Sequence, residues 1–179
     1  MRELLQRFLE SGEQICLYTE RDAPGGFAYG RLLAVSGPHF ALYLVSPDGA
    51  FDGVLVEGID RVLRVEAGGL YQEKMERLCR FASLPPFPQA LEGDLVAAVL
   101  AAARKMGKIV SVEVDESGED DFAGFVAEPQ NGLCRFLRVD EYGMEDGEAF
   151  VRPADVTRVV CASGDEERRL RLWQARREG

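Results

Sequence analysis

The chain has 179 residues, 46% of them hydrophobic and 29% charged, and its 31 acidic against 21 basic side chains give a net charge of −10. Such a balance belongs to folded globular proteins and excludes compositional disorder, and no apolar run reaches the roughly 18 residues of a membrane helix. Residues 1–84 hold nine basic and twelve acidic side chains and residues 85–179 hold twelve and nineteen, so neither half has the cationic surplus that drives phosphate binding.

Leu4, Leu5, Phe8 and Leu9 recur at helical spacing and predict a helix over 2–11, with Gly12 as its stop. Runs rich in β-branched and aromatic residues, bounded by Gly, Pro, Asp or Ser, predict strands at 14–19, 26–35, 39–45, 51–56 and 61–65. Ser46-Pro-Asp-Gly49 is the turn between the third and fourth, and a second helix is predicted over 70–83. Pro85, Pro86 and Pro88 remove backbone donors and fix φ, so 85–91 reads as a linker between domains 1–84 and 92–179, with Phe87 expected to be buried between the halves. An alanine-rich helix is predicted over 92–106, ended by Gly107. Strands follow at 108–114, 122–128, 133–139, 148–151 and 156–161, then a helix over 165–177.

The second half repeats the first at a spacing of 94 residues. Ile15, Gly30, Val45, Gly49, Asp52, Gly53, Val62, Arg64 and Val65 are answered by Ile109, Gly124, Val139, Gly143, Asp146, Gly147, Val156, Arg158 and Val159. Leu78 likewise aligns with Leu172. So long a period is a duplicated domain, not a solenoid unit.

Chemical motifs are sparse. Cys16, Cys79, Cys134 and Cys161 lie far apart with no C-x-x-C pair and read as reduced core thiols; no metal or cofactor site is expected. His39 is the sole histidine and reads as a turn residue, and Asp52 and Asp146 each sit in an Asp-Gly turn, so no catalysis is expected. Asp115-Glu-Ser-Gly-Glu-Asp-Asp121 alternates oxygen ligands, but Val126 stands where a calcium loop needs a bidentate glutamate; it reads as an acidic hairpin loop. The amphipathic start, Met1-Arg-Glu-Leu-Leu-Gln-Arg, carries an acid and is unlike a secretory leader, so the expected compartment is the cytoplasm.

A helix, five strands and a glycine inside the second strand, carried by Gly30-Arg-Leu-Leu-Ala-Val with Phe40-Ala-Leu-Tyr-Leu and by Gly124-Phe-Val with Arg135-Phe-Leu-Arg-Val139, resemble the Sm/LSm family. The resemblance implies a mainly β protein with α: two tandem, strongly bent, five-stranded antiparallel Sm-like (SH3-type) barrels, each with an N-terminal and a trailing helix. It also implies assembly through strand edges, or single-stranded RNA bound by an aspartate, an asparagine and a later basic element. Ser36 stands near the aspartate position, His39 and Phe40 at the asparagine, and Glu57 where a cation is expected. The second copy offers Gln130-Asn131 and Arg152, and the last helix adds Arg168, Arg169, Arg171, Arg176 and Arg177 beside Trp173. The expected function is thus a non-enzymatic interaction or assembly module that binds a protein or itself. The alternative is an RNA binder using Asn131, Arg152, Arg168, Arg169 and Trp173; neither DNA nor a membrane is expected as a partner.

Overall fold

A computed structural model describes residues 1–21, 23, 25–79, 91–115 and 120–178. The linker prolines, Phe87 and the centre of the acidic loop, 116–119, lie outside the described residues. Contacts divide the chain into two units, Met1–Leu95 and Val96–Gly179. Among the described residues no helix is long and apolar enough to cross a membrane.

In the first unit α1 (Arg2–Ser11) buries Leu5 and Phe8 one turn apart and ends at Gly12, whose left-handed backbone (φ 69°) lets its N–H donate to the Phe8 carbonyl. Four longer strands follow: β1 (Gln14–Tyr18), β2 (Ala28–Ser36), β3 (His39–Val45) and β4 (Phe51–Gly58). A 3₁₀ turn, Ile59–Arg61, leads to the three-residue β5 (Arg64–Glu66), and α2 (Leu70–Cys79) closes the unit. Neighbours are antiparallel in the order β5-β1-β2-β3-β4. Both faces are apolar, which is why the strands read as continuous hydrophobic runs. Cys16, Tyr18, Tyr29, Tyr43 and Val45 lie on one face beneath Met75 of α2, while Ile15, Leu17, Leu32, Phe40 and Leu42 fill the other.

The second unit repeats this plan. The helix α3 (Leu95–Met106) precedes β6 (Ile109–Val114), β7 (Phe122–Val126), β8 (Cys134–Val139) and β9 (Glu145–Val151), then a 3₁₀ turn at Pro153–Asp155, β10 (Val156–Cys161) and α4 (Gly164–Glu178). Its strands run β10-β6-β7-β8-β9, again antiparallel. Ile109, Ala123, Val139 and Leu170 form the core under α4, with Phe125 and Trp173 packed against it.

The duplication is present in three dimensions as well as in sequence. A Cβ added to Gly30 would fall on the Tyr43 carbonyl oxygen, and one added to Gly124 on the carbonyl of Leu137, 94 residues beyond Tyr43. A Cβ at Gly49 would come within 2.8 Å of the Leu78 Cβ, and one at Gly143 within 2.6 Å of the Leu172 Cβ. The third-to-fourth strand turns match too. Gly49 and Gly143 donate to the carbonyls of Ser46 and Asp140, whose side chains accept from the N–H groups of Ala50 and Met144. The pairing of Ile15 with Ile109 is the exception. Ile15 opposes Gly30, whereas Val110 opposes Gly124, so the first strand is offset by 95 residues and slips by one against the sequence match.

The expected closed barrels are not formed. In each unit the fourth and fifth strands stand at opposite ends of the run, and among the described residues no ladder joins β4 to β5 or β9 to β10; each unit is mixed α/β with an open antiparallel run of five strands, and the described residues form four helices in all. Closing five strands requires strong tilt and shear so that the last pairs with the first. The glycine contacts and the bulges near Leu32 and Tyr43 bend the strands without bringing those edges together. Burial is completed by helices instead, α2 and α4 covering a face that needs no closure.

Candidate functional site

The described hollows lie on the second unit, between α4 and the strands β7, β8 and β9. Gly124 lets β8 lie close against β7, which sets Phe125 directly opposite Leu137. From above, α4 places Trp173 against Phe125, with ring centroids 4.7 Å apart and planes at 58°. The Arg177 guanidinium sits 4.2 Å from the Trp173 ring centre and pairs with Glu145 at the start of β9. That pairing, and then the Trp173 side chain, hold the Glu145 carboxyl below its ordinary range. The hollow so formed has a volume of about 480 Å³ and is lined by Phe125, Leu137, Glu145, Gly147, Trp173 and Arg177 among others.

A second hollow of about 280 Å³ is lined by Ser111, Ala123, Arg138 and Arg169 together with Asp120, Asp121, Asp140, Glu141 and Asp146. Five carboxylates face two guanidiniums there. Arg138 pairs with Asp146 at 2.5 Å, and Asp120 pairs with Arg158 at 2.8 Å. Burial raises the Asp120 carboxyl, and Arg158 opposes that shift. Beneath this hollow Glu166, only 2% exposed, accepts from the Ser111 hydroxyl at 2.6 Å and the Ser163 N–H at 2.8 Å, closing a capping box on α4. Burial pushes the Glu166 carboxyl upward. Among the described residues no group of His, Cys, Asp and Glu is arranged to hold a metal ion.

The five residues proposed for RNA are dispersed. Asn131 occupies the β7–β8 turn with φ 53°, followed by Gly132 at φ 77°, while Gln130 and Leu133 exchange backbone hydrogen bonds across it. Two successive positive φ values are what a tight hairpin turn demands of an Asn-Gly pair. Arg152 precedes the 3₁₀ turn and pairs with Asp155 at 2.5 Å, and Arg168 pairs with Asp165 at 2.8 Å. Arg169 lines the acidic hollow and Trp173 the aromatic one, and neither Asn131 nor Arg152 lines either. Ser36, near the family's aspartate position, donates instead to the Gly93 carbonyl at 2.6 Å, and His39 opens β3 after the positive-φ turn at Gly37. Sequence reasoning passed over Phe125, Leu137 and Glu145, although Phe125 stands where the first copy has Arg31 and Glu145 where it has Phe51.

No protein-family model matches the chain, and no curated protein or solved structure matches it.

Proposed function

We infer that the protein is a non-enzymatic interaction module that receives a strand of a partner protein along β9. The observation that carries this reading is the state of β9. It ends the strand order, pairs with β8 alone among the described residues, and is exposed along most of its seven residues. A strand edge with unpaired backbone donors and acceptors is a template for strand addition. Apolar side chains that a solvated edge does not need stand on or beside it. Phe150 is 47% exposed and Met144 50%, with Tyr142 more open still. The edge is guarded by Glu145, Asp146 and Glu148, each paired with an arginine.

The alternative, single-stranded RNA, has less support. Arg152, Arg168 and Arg177 already hold carboxylates, and Arg169 stands in the acidic hollow. Peptide-display selection against the intact chain, with the selected peptides mapped by backbone hydrogen exchange, separates the two. Selected peptides should slow exchange in β9 and lose binding on Phe150→Asp. Peptides that protect other strands, or submicromolar binding of oligo-U or oligo-A, would overturn the reading.

A further inference from the structure

We propose that the 480 Å³ hollow over β8 and β9 is a receptor for one uncharged aromatic side chain of a partner's strand, a reading that builds on β9 as the docking edge. The duplicated unit offers the comparison. At the corresponding place in the first unit, Tyr43 packs against Phe51 with ring centroids 4.6 Å apart, and Tyr43 is 2% exposed. The second unit carries Leu137 and Glu145 at those positions, and the ladder is the same, since Phe51 opposes Val45 as Glu145 opposes Val139. Two rings have become one short aliphatic chain and one carboxylate, while Arg31 and Cys79 have become Phe125 and Trp173, so the second unit carries its rings at the wall of the hollow and not on its floor. Leu137 is 41% exposed where Tyr43 is buried, and the hollow stands over it.

What remains suits a ring. Leu137 supplies an apolar floor, and Phe125 with Trp173 supplies an aromatic wall for edge or offset stacking. The volume falls within the usual range of ligand cavities, about 300 to 1,000 Å³. The charges at the rim are already matched. Arg177 holds Glu145, Arg138 holds Asp146, and Arg135 holds Glu148 through two bonds of 2.9 and 2.7 Å. A phosphate or carboxylate would have to break one of these pairs, whereas a neutral ring meets none of them. The hollow is also continuous with the docking edge. Glu145, Gly147 and Glu148 of β9 line it, and a strand laid beside β9 turns every second side chain to that face.

The test uses the intact chain and N-acetyl-phenylalaninamide as the probe. Trp173 is the only tryptophan, so its emission under selective excitation reports the hollow directly. A saturable change in the millimolar range is expected, with none from N-acetylglycinamide at equal concentration. Leu137→Phe, and separately the double change Leu137→Tyr with Glu145→Phe that restores the first unit's ring pair, should weaken the response by at least about tenfold. The single variant changes a half-exposed side chain and keeps the test decisive if the double variant does not fold. No saturable change, an equal response to the glycine amide, or undiminished binding by folded Leu137→Phe would overturn the proposal. Oligo-A saturating the same signal at submicromolar concentration would overturn it in favour of nucleobase stacking. A hollow that binds the ring while selected peptides leave β9 unprotected would leave the receptor standing and remove the docking edge, so the two failures are told apart.

Discussion

Gln72 and Glu166, 94 residues apart, close the same capping box at the start of α2 and α4. Gln72 accepts from the Gly69 N–H at 3.1 Å and donates to the Cys16 sulfur at 3.3 Å. Glu166 accepts from the Ser163 N–H and, in place of that thiol contact, from the Ser111 hydroxyl. One copy therefore does with an amide what the other does with a buried carboxyl.

That difference gives the cap of α4 a pH dependence that the cap of α2 lacks. Burial holds the Glu166 carboxyl above its ordinary value of 4.5, so the folded site favours the neutral acid. The stability it supplies is complete below pH 4.5 and is lost as pH rises through the raised value. A glutamine cannot ionise, can still accept from Ser163, and can donate to the Ser111 oxygen. Glu166→Gln should therefore match the parent near pH 4.5 and melt at a higher temperature at neutral pH and above. Melting curves across that range check it; a variant less stable than the parent at neutral pH would show that the carboxylate is the form the site prefers.

The glycines in the second strands should be the least replaceable residues outside the core. Gly124→Ala drives a methyl onto the Leu137 carbonyl, and Gly30→Ala does the same at Tyr43; backbone on backbone cannot yield as a side-chain tip can. Each should cost about 2 to 3 kcal/mol in chemical denaturation. Gly107→Ala is the control. It has φ 63° and open space around its added Cβ, so only the left-handed strain of about 1 to 2 kcal/mol applies.

Much of this order was visible in the residues. The stop at Gly12, the turn glycines 49 and 143 and the repeat of Leu78 as Leu172 are local or periodic signals, and they fall where the structure has them. Two kinds of information were missing. Glu145-Asp-Gly147 reads as a turn, yet it belongs to β9 with Gly147 at φ 72° inside the strand, because cross-strand pairing overrode local propensity. Closure could not be read either. Alternation and bends define strands and faces, but whether β4 meets β5 depends on accumulated tilt, which no residue encodes. At the candidate site the arginines of α4 were legible as charge but their partners were not. Asp165 and Glu145 are set by helix phase and strand register, and the hollow emerges only when Leu137 and Glu145 are compared with Tyr43 and Phe51.

Thiol reactivity should divide the four cysteines. Cys16 and Cys161 are buried, and burial pushes their thiols up to about 11 and about 12, so neither offers thiolate at about pH 8. Cys79 and Cys134 are half-buried, and burial raises Cys79 too. Disulfide-exchange labelling of the native protein should modify Cys134 and Cys79 first and reach Cys16 and Cys161 only in denaturant. Mass mapping that finds Cys16 labelled early would mean that β1 and α2 separate in the native state.

Leu170 should be the residue on which α4 depends. The helix is strongly polar, and among its described side chains Leu170 and Glu166 are the buried ones, Leu170 meeting Ile109, Ala123 and Val139. Leu170→Ala removes three carbons from a nearly closed site and should cost about 2 to 4 kcal/mol. With the helix loosened, Trp173 would leave Phe125, and its emission should shift to the red before the sheet itself unfolds. Arg168→Ala, which removes only an exposed pair with Asp165, should change stability by less than about 0.5 kcal/mol. Nucleic-acid affinity supplies the contrasting readout. If the arginines of α4 serve carboxylates, Arg168→Ala and Arg169→Ala should leave oligo-U binding in the weak non-specific range of roughly 10⁻⁴ to 10⁻⁶ M at physiological salt, as in the parent. A submicromolar parent that either substitution weakens would place RNA on α4 and make its ion pairs a resting arrangement.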